Sequence, residues 1–372
     1  MSVVVKEVKT KSQRKLFITF PDVLFKNCKN YLPQLHKNEY NILFSNNLAK
    51  EYCKFSAWIA YQNGKVVGRI AAIINTRANT LWNNKKIRFG WFDFVEDFEV
   101  CKALILTVEN FAKQNNCTYI HGPTGFTEMD RESWIVEGFD QRHSSAGFYN
   151  FPYYLDYIRK LGYFVDCEWL QYKMPASQPV PEKVDRINTL ILEKYNLRLL
   201  EFTSKKDIMP YARNFFSLLN TSFKELYEFV PLTDKEIDHY TKAYFTFLDP
   251  SLVKLVVDKN DDLVAFAVAI PSLTNAYLKA KGKLFPFGWY YLLKALKTYS
   301  EVDLLLNGVH PEWQKRGIHS IYHSALNKTL INKGVNWAYS NPQIITNIAV
   351  KVWDNTYESE LIIKRACFAK AL

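Results

Sequence analysis

Long apolar runs are missing from this sequence. The first residues, MSVVVKEVKTKSQRKLF, lack the uninterrupted apolar core of a signal peptide. Nowhere do about 18 apolar residues follow one another, which is the length that a membrane-spanning helix requires. No tract is polar or repetitive enough to indicate disorder. We therefore expect a folded cytoplasmic protein that has no membrane partner.

Cysteine is scarce and scattered. There is no C-x-x-C pair and no zinc-like spacing, so the cysteines are expected to be reduced core residues. His319 and His323 lie four apart, a spacing that metal sites use, but the motif H-E-x-x-H is absent and we expect no metal. The six cysteines are Cys28, Cys53, Cys101, Cys117, Cys167 and Cys367.

Dense basic runs are also absent, although the net charge is +11. Such a charge favours an anionic partner, which leaves a nucleotide-like cofactor, a nucleic acid or an acidic membrane surface open. Because lysine and arginine are spread along the whole chain, charge alone does not choose among these partners. Together with the missing membrane-spanning run, we expect no membrane partner, and a nucleic acid only as the tRNA alternative given below.

The sequence contains two similar halves. At 372 residues it exceeds the usual size of a single core. A β-branched strand and a helical pattern begin each half, and the turn and apolar strand NGKVVGRIAAIIN has a counterpart in NDDLVAFAVAIPS at nearly the same offset. The proline-rich stretch MPASQPVPEKVD is not expected to join the interior of a sheet and predicts a linker. We expect domains over 1–173 and 197–372, joined by 174–196.

The order of strands and helices in each half predicts an α/β (α+β) fold, with a mixed central sheet flanked by helices. In the second half, the buried-strand pattern DLLLNGV precedes an amphipathic helix. Free N–H groups in the first turn of a helix favour an anion, and Gly317 allows a close approach to the backbone. With the charges of Lys315 and Arg316, this junction predicts a diphosphate site; the alternative is an ordinary helix start with exposed charges.

The stretch QKRGIH at this junction resembles the acyl-CoA signature Q/R-x-x-G-x-G/A of the GCN5-related N-acetyltransferases. The resemblance extends faintly over nearly the whole chain as two tandem copies. In this arrangement the chain is similar to two-domain acetyltransferases and to the Fem-like aminoacyl transferases. It implies pyrophosphate contacts from Gln314, Arg316, Gly317 and Ile318, with the pantetheine arm along Gly308 and Val309. Lys315, which adds charge beside them, completes the predicted cofactor-binding loop. At the last signature position stands His319, which could narrow the site or, when protonated, add a phosphate contact.

The first half departs from the signature. Its junction, FGWFDFVEDFEVCKALIL, has no glycine at the phosphate position and carries acidic residues that satisfy a helix N-terminus and repel a diphosphate. We therefore expect no coenzyme A in this half. The acidic residues are Asp93, Glu96, Asp97 and Glu99.

A second family-like stretch, YNFPYYLDYIRKLGYF, resembles a helix of the family through Asn150, Tyr157, Leu161 and Gly162. In the second half Asn347 begins the counterpart and is expected to contribute to the cofactor site.

The family's tyrosine, which often reprotonates the leaving thiolate, is replaced by Asp354 in this counterpart. Tyr357 could substitute from the next turn. Acyl transfer also needs a base to deprotonate the amine. The candidates for catalysis are Glu312, Asp354 and Tyr357.

The stretch from His121 to Tyr154 predicts an acceptor pocket at a strand end, where open α/β sheets place ligands. Its acidic and polar side chains would receive a cationic amine; a packed loop that closes the sheet is the alternative. The candidate acceptor residues are Asp130, Glu132, Glu137, His143 and Tyr149.

Taken with the resemblance, these features predict an acyltransferase, specifically an N-acetyltransferase. The expected donor is acetyl-CoA or another acyl-CoA, and the expected acceptor is a small-molecule or peptide amine. The sequence leaves open whether the protein forms a homodimer. One alternative is a Fem-like transferase using aminoacyl-tRNA, although no heptad pattern for its helical arm is present. The other is a non-catalytic acyl-CoA-binding protein.

Overall fold

The computed structural model describes residues 2–142, 145–245, 247–346 and 358–372. Fourteen strands within these residues belong to one mixed sheet. They are β1 (Val4–Glu7), β2 (Cys53–Gln62), β3 (Lys65–Asn75), β4 (Lys86–Phe94), β5 (Tyr119–Gly122), β6 (Trp134–Glu137), β7 (Phe164–Pro175), β8 (Arg198–Glu201), β9 (Val253–Val257), β10 (Leu263–Pro271), β11 (Glu301–Val309), β12 (Trp337–Ser340), β13 (Gln343–Ile344) and β14 (Glu360–Ala371).

Helices cover the sheet. They are α1 (Lys11–Leu24), α2 (His36–Phe44), α3 (Thr76–Leu81), α4 (Phe98–Gln114), α5 (Tyr153–Lys160), α6 (Glu182–Tyr195), α7 (Lys205–Ile208), α8 (Ala212–Ser222), α9 (Asp234–Tyr240), α10 (Thr274–Ala280), α11 (Gly288–Lys297) and α12 (Ile318–Asn332). No helix in the described ranges combines the length and the apolar character needed to cross a membrane.

Local sequence signals explain several of these elements. The Thr10 side chain accepts a hydrogen bond from the Gln13 N–H, and the Gln13 side chain accepts one from the Thr10 N–H, which forms a capping box at the start of α1. Asn63 and Gly64, both with positive φ, form the two-residue turn between β2 and β3. The predicted turn and strand in this part of the first half are thus confirmed.

The sheet runs through both halves without a break. Its order is β1-β2-β3-β4-β5-β14-β7-β12-β11-β10-β9-β8, so each half contributes its own strands in sequence except at the centre. There, β14 of the second half lies between β5 and β7 of the first half, and β7 pairs with β12 of the second half. The last strands of the two halves are therefore exchanged.

The short strands follow the same exchange. β6 of the first half pairs with β14, whereas β13 of the second half pairs with β7. Each half consequently completes its sheet with a strand from the other half. This pairing buries the peptide hydrogen bonds of both halves in one continuous ladder, so the two halves depend on each other for stability.

The segment expected as a linker is largely structured. Its first residues, Met174 and Pro175, end β7 and pair with Ala338 and Trp337 of β12 in the middle of the sheet. The region 182–195 forms helix α6, which packs on α12. The division of the chain at 174–196 remains a proposal, but the expectation that this stretch stays out of the sheet differs from the structure.

A buried ion-pair cluster joins the halves away from the central strands. Arg88 on β4 lies 3.1 Å from Glu128 Oε1 and 3.8 Å from Glu228 Oε2, and Lys86 Nζ lies 2.7 Å from Glu228 Oε1. The Val230 N–H donates to Glu128 Oε2. The second half thus supplies a carboxylate for two cations of the first.

Candidate functional site

The strands β11 and β12 separate in the middle of the second half. Their parallel pairing extends only from Glu301 with Trp337 to Leu304 with Ser340. β11 continues for five more residues, paired on its other side with β10. Along 305–309, the edge of β11 that faces away from β10 therefore has no strand partner among the described residues. We call this opening the β11–β12 splay.

A β-bulge marks the start of the splay. In the pairing of β10 with β11, Val268 lies opposite Leu306 and Ala269 lies opposite Leu304, which leaves Leu305 as the extra residue. The Asn341 side chain donates to the Leu305 carbonyl at 2.8 Å and fixes this point. Because a bulge rotates the neighbouring peptide groups, backbone N–H groups here can be directed towards a ligand in the splay.

The chain that follows β11 forms a helix N-terminus. After the 3₁₀ turn Pro311–Trp313, Gly317 adopts a left-handed conformation with φ 78° as the N-cap of α12, and no side chain caps the helix. Lys315 also has a positive φ, of 63°. Two left-handed residues bend the loop sharply and leave the first N–H groups of a 15-residue helix without a capping side chain. This geometry suits an anion.

Arg316 is positioned by two aromatic rings. Its guanidinium carbon lies 4.8 Å from the centre of the Trp313 ring and 5.3 Å from that of the Tyr195 ring. The residue is exposed, as are Gln314 and Lys315. Cation–π contacts hold the charge in place without neutralising it, so it remains available to a phosphate.

Helix α6 supports the back of this loop. A Cβ atom on Gly317 would lie 2.9 Å from Ile191 Cδ1 of α6. The Asn188 amide of the same helix donates to the Ser320 carbonyl at 3.2 Å. The loop 314–317, which joins the 3₁₀ turn to α12, is called the glycine loop below. The predicted linker region therefore contains the element that braces this loop, and sequence analysis missed this role.

The two histidines of α12 are neutral at physiological pH. Burial lowers the pKa of His319, and burial together with the neighbouring His319 lowers the pKa of His323 to about 3. The suggested phosphate contact from protonated His319 is thus disfavoured by its surroundings. Within the described part of the chain, no group of three or more potential ligands is arranged to hold a metal ion.

In the first half the corresponding opening is filled. β4 pairs with β5 over its first three residues only. Beyond them, the Thr124 N–H donates to the Phe89 carbonyl, the Tyr153 hydroxyl donates to the Phe94 carbonyl, and the Phe94 N–H donates to the Tyr154 hydroxyl. The Phe94 and Tyr154 rings stack at 4.1 Å. Protein groups thus occupy the strand edge that a pantetheine arm would need.

The acidic residues at this first-half junction play separate roles. Asp97 is the N-cap of α4, and its side chain accepts from the Glu99 N–H. Asp93 is instead buried, with its carboxylate 2.7 Å from Arg69 Nε. The helix N-terminus is satisfied as the sequence indicates, whereas the charge of Asp93 is balanced inside the core.

A buried carboxyl group, missed by sequence analysis, lies beside the splay. Asp303 is two residues before the bulge on β11, and its Oδ2 accepts from the Ser272 hydroxyl at 3.1 Å. Arg142 donates to Ser272 and is paired with Glu301. Burial raises the pKa of Asp303 to about 6, opposed by Arg142 and Ser272. An acidic residue inside the apolar run DLLLNGV was the available signal.

Two of the predicted acceptor residues lie in the loop after β5. The Asp130 carboxylate accepts from the Phe126 and Thr127 N–H groups and so stabilises the loop; burial raises its pKa to about 6. Burial and the nearby Glu128 raise the pKa of Glu132 to about 8. At neutral pH Glu132 is therefore mostly protonated and attracts a cationic amine weakly.

The other predicted residues are dispersed. Glu137 is exposed and paired with Lys364 at 2.9 Å, and Tyr149 packs edge-on against Phe25 in the first-half core. Glu312 is exposed on the 3₁₀ turn before the glycine loop. The described structure thus brings together the residues predicted to bind acyl-CoA. It does not gather the residues predicted to bind the amine acceptor into one pocket. The candidates His143, Asn347, Asp354 and Tyr357 lie outside the described residues.

The fold is that of a tandem GCN5-related N-acetyltransferase. A tandem protein of this class from the clavulanic acid biosynthesis pathway superposes with a TM-score of 0.57 at 10% identity, over 100% of this chain and 98% of that one. The expected resemblance and fold class are thereby confirmed.

Two proteins are similar in sequence. Protein YghO of Escherichia coli is 26% identical over 307 residues, which cover 82% of this chain and 78% of YghO. The bacterial ceramide synthase of Caulobacter vibrioides is 23% identical over 373 residues, which cover 96% of each protein. No protein-family model matches the chain.

Proposed function

We propose that the protein is an N-acyltransferase that moves an acyl group from acyl-CoA to the amine of an acceptor. The observation that carries this proposal is the continuity of the β11–β12 splay with the glycine loop. One strand, β11, leads directly from an open backbone edge to a helix N-terminus with exposed positive charge. A linear ligand with a diphosphate at one end fits this arrangement.

The residues present fit coenzyme A. The loop N–H groups around Gly317 and the Arg316 guanidinium would hold the diphosphate, with Gln314, Lys315, Ile318 and His319 beside it. The edge of β11 that has no strand partner, with Val309 on it and Gly308 beside it in the strand, would pair with the amide groups of the pantetheine arm. Asn347 is retained as a proposed contact. Bound in this way, the thioester supplies an activated acyl carbon.

Asp303 is our proposed general base. An amine must lose a proton as it forms the new C–N bond, and a buried carboxyl with a pKa of about 6 is largely ionised at pH 7 yet poorly solvated. Backbone N–H groups at the Leu305 bulge would donate to the thioester oxygen as charge develops on it. The C–S bond then breaks and the thiolate takes up a proton.

The proton donor to the thiolate is proposed to be Tyr357, with Asp354 nearby in sequence. Glu312 on the turn before the loop is a weaker candidate for chemistry than Asp303, because its side chain is exposed to water whereas that of Asp303 is buried. The first half, whose own opening is filled, is proposed to shape the acceptor side through its loop after β5. This division of labour keeps one donor site in the two-half chain.

The acceptor is proposed to be the primary amine of a long-chain lipid base. A relative that matches nearly the whole chain is named as a ceramide synthase, and a ceramide is the N-acylated form of such a base. A long-chain acyl-CoA is the corresponding donor, in place of the acetyl-CoA suggested by the resemblance.

Binding and turnover test this function separately. Thermal-shift titrations would compare long-chain acyl-CoA, acetyl-CoA and tRNA, because a ligand at a hundred times its dissociation constant stabilises by about 2.7 kcal/mol. Arg316→Gln should weaken acyl-CoA binding about tenfold or more, since it removes a charged phosphate contact. Lys102→Gln on the exposed face of α4 is the matched control.

Turnover would be followed as release of free thiol in the presence of a long-chain amine or a short polyamine. We expect release only with the long-chain amine. A melting temperature that responds to tRNA alone, or acyl-CoA affinity that is equal in the Arg316→Gln variant and wild type, would contradict the proposal.

A further inference from the structure

The chain leaves the sheet between β10 and β11 to form a basic hairpin. It consists of α10, the loop 281–287 and α11, and we call it the α10–α11 hairpin. From Leu263 to Ser300 the sequence contains no aspartate or glutamate. Over the same stretch it contains five exposed lysines, and none of them forms an ion pair with a carboxylate of the described residues. These lysines are Lys279, Lys281, Lys283, Lys294 and Lys297.

Large apolar side chains project from the same hairpin into solvent. Phe285 is 77% exposed, Phe287 64%, Tyr290 48%, and Trp289 and Leu293 each 46%. Trp289 and Leu293 are four residues apart and share one face of α11. Folded proteins seldom expose so many neighbouring large apolar groups unless the patch binds something.

Hydrogen bonds hold the hairpin in a defined conformation. The Trp289 indole N–H donates to the Pro286 carbonyl at 2.9 Å, and the Trp289 backbone N–H donates to the Leu284 carbonyl at 2.9 Å. The Gly282 carbonyl accepts from the N–H of His36, in the first half. The exposed rings therefore belong to an ordered surface that is anchored to both halves.

The composition of this surface matches an anionic bilayer. Tryptophan and tyrosine prefer the membrane–water interface because each has an apolar ring and a polar group. Lysines can extend their ammonium groups to phosphates while their stems stay in apolar surroundings. The hairpin contains no arginine, the residue that nucleic-acid sites favour for bidentate phosphate and base contacts. With ten residues, α11 is about 15 Å long, which suits a helix lying on the bilayer.

We propose that the α10–α11 hairpin docks the protein on a bilayer that contains anionic phospholipid. The expectation of no membrane partner came from the absence of a membrane-spanning run, and docking on the bilayer surface requires no such run. The aromatic tip enters the interface and the five lysines contact lipid phosphates. This proposal is argued from the hairpin alone and does not depend on the proposed enzymatic function.

One consequence rests on the proposed function. β11 begins at the base of the hairpin and ends at the glycine loop, about 30 Å away for nine residues. Asp303, near the base, would then receive a lipid amine from the bilayer while the nucleotide binds at the end that faces water.

Vesicle sedimentation of the full chain tests the docking. We expect binding to phosphatidylcholine vesicles that contain phosphatidylglycerol, little binding to phosphatidylcholine alone, and weaker binding as salt increases. Lys294→Gln with Lys297→Gln should lower the partition constant about fivefold for each lysine removed. Lys102→Gln, on an exposed lysine of α4, should leave it unchanged.

A second pair of variants tests what the exposed apolar side chains contribute to vesicle binding. Trp289→Ser with Leu293→Ser should abolish sedimentation. Ile187→Ser with Leu190→Ser, which removes comparably exposed side chains from α6, should not. Circular dichroism would verify that each variant is folded, and the lysine variants and salt dependence keep the test decisive if the apolar variant does not fold.

Three results would overturn docking: no binding to either vesicle, equal binding to both with no effect of the lysine changes, or size-exclusion data showing that the hairpin variants dissociate an oligomer while vesicle binding is unchanged. Acyl-CoA thermal shifts measured on the same variants should stay at the wild-type value. A chain that sediments with vesicles but shows no acyl-CoA shift would refute the proposed function and leave the docking supported.

Discussion

Replacing Asp303 by asparagine should stabilise the protein at neutral pH while impairing catalysis. The structure buries this carboxyl on β11, and burial raises its pKa to about 6 from an ordinary value of 3.8. This rise in the pKa means that burial disfavours the charged form of Asp303, relative to the neutral form, by about 3 kcal/mol. Asparagine has nearly the same shape, carries no charge and can still accept from the Ser272 hydroxyl. Arg142 keeps its other partner, Glu301.

The sign of the pH dependence follows from the raised pKa. In wild type the neutral Asp303 is compatible with burial, so its contribution to stability is fully present below about pH 4. It is lost as the pH rises through about 6, because the unfolded chain releases the proton first. The variant should therefore match wild type at low pH and exceed it by up to about 3 kcal/mol above pH 7.

Urea unfolding followed by tryptophan fluorescence, at intervals from pH 4 to 8, measures this difference. Asp262→Asn, which changes an exposed carboxylate in the turn between β9 and β10, is the control and should show no comparable pH dependence. The reasoning about burial fails if the asparagine variant is no more stable than wild type at pH 8, or if the gain is the same at every pH.

Activity gives the second half of the test. Loss of a general base should lower kcat about a hundredfold or more. In wild type, kcat should rise with pH through about 6 and the variant should lose this rise. If kcat and its pH profile survive the substitution, Asp303 is a buried structural carboxyl and another group accepts the proton.

Two further predictions concern the framework. Arg69→Met should lower the free energy of unfolding by about 3 to 5 kcal/mol, because it leaves the buried Asp93 carboxylate unpaired. Denaturant unfolding measures this loss, and adding Asp93→Asn should recover part of it. A double variant as unstable as Arg69→Met alone would argue against charge burial as the cause. Ending the chain after residue 359 removes β14, which lies between β5 and β7. Both halves should then lose cooperative unfolding in calorimetry, and a first half that melts normally would show that the exchanged strand is dispensable.

Local features were well predicted from the sequence. Asn63 and Gly64 specify a hairpin turn because both tolerate the positive φ that the turn requires. The amphipathic helix predicted after β11 is α12, and its apolar face places Ile318, Ile321 and Tyr322 in the core. The glycine loop was recognised for the same reason. Backbone conformation at a glycine and the identity of adjacent charged residues are properties of consecutive residues.

The acceptor side was predicted less well. Glu137 and Tyr149 are close in sequence to Glu132, yet one is exposed and the other is packed in the first-half core. Loop residues reach their positions through contacts with distant elements, so spacing along the chain does not determine which side chains share a pocket. The raised pKa of Asp303 was hidden for a similar reason, since it depends on burial by strands on both sides.

The sequence by itself determined where strands, turns and helices form, and which junction has a glycine, a free helix N-terminus and two cations. Only the tertiary structure decided that β7 and β14 exchange places, that the first-half opening is filled by aromatic rings, and that α6 braces the loop around Gly317. The physical reason is range: turn and helix preferences act over a few residues. Strand exchange and burial depend instead on which distant segments together exclude water and satisfy each other's hydrogen bonds.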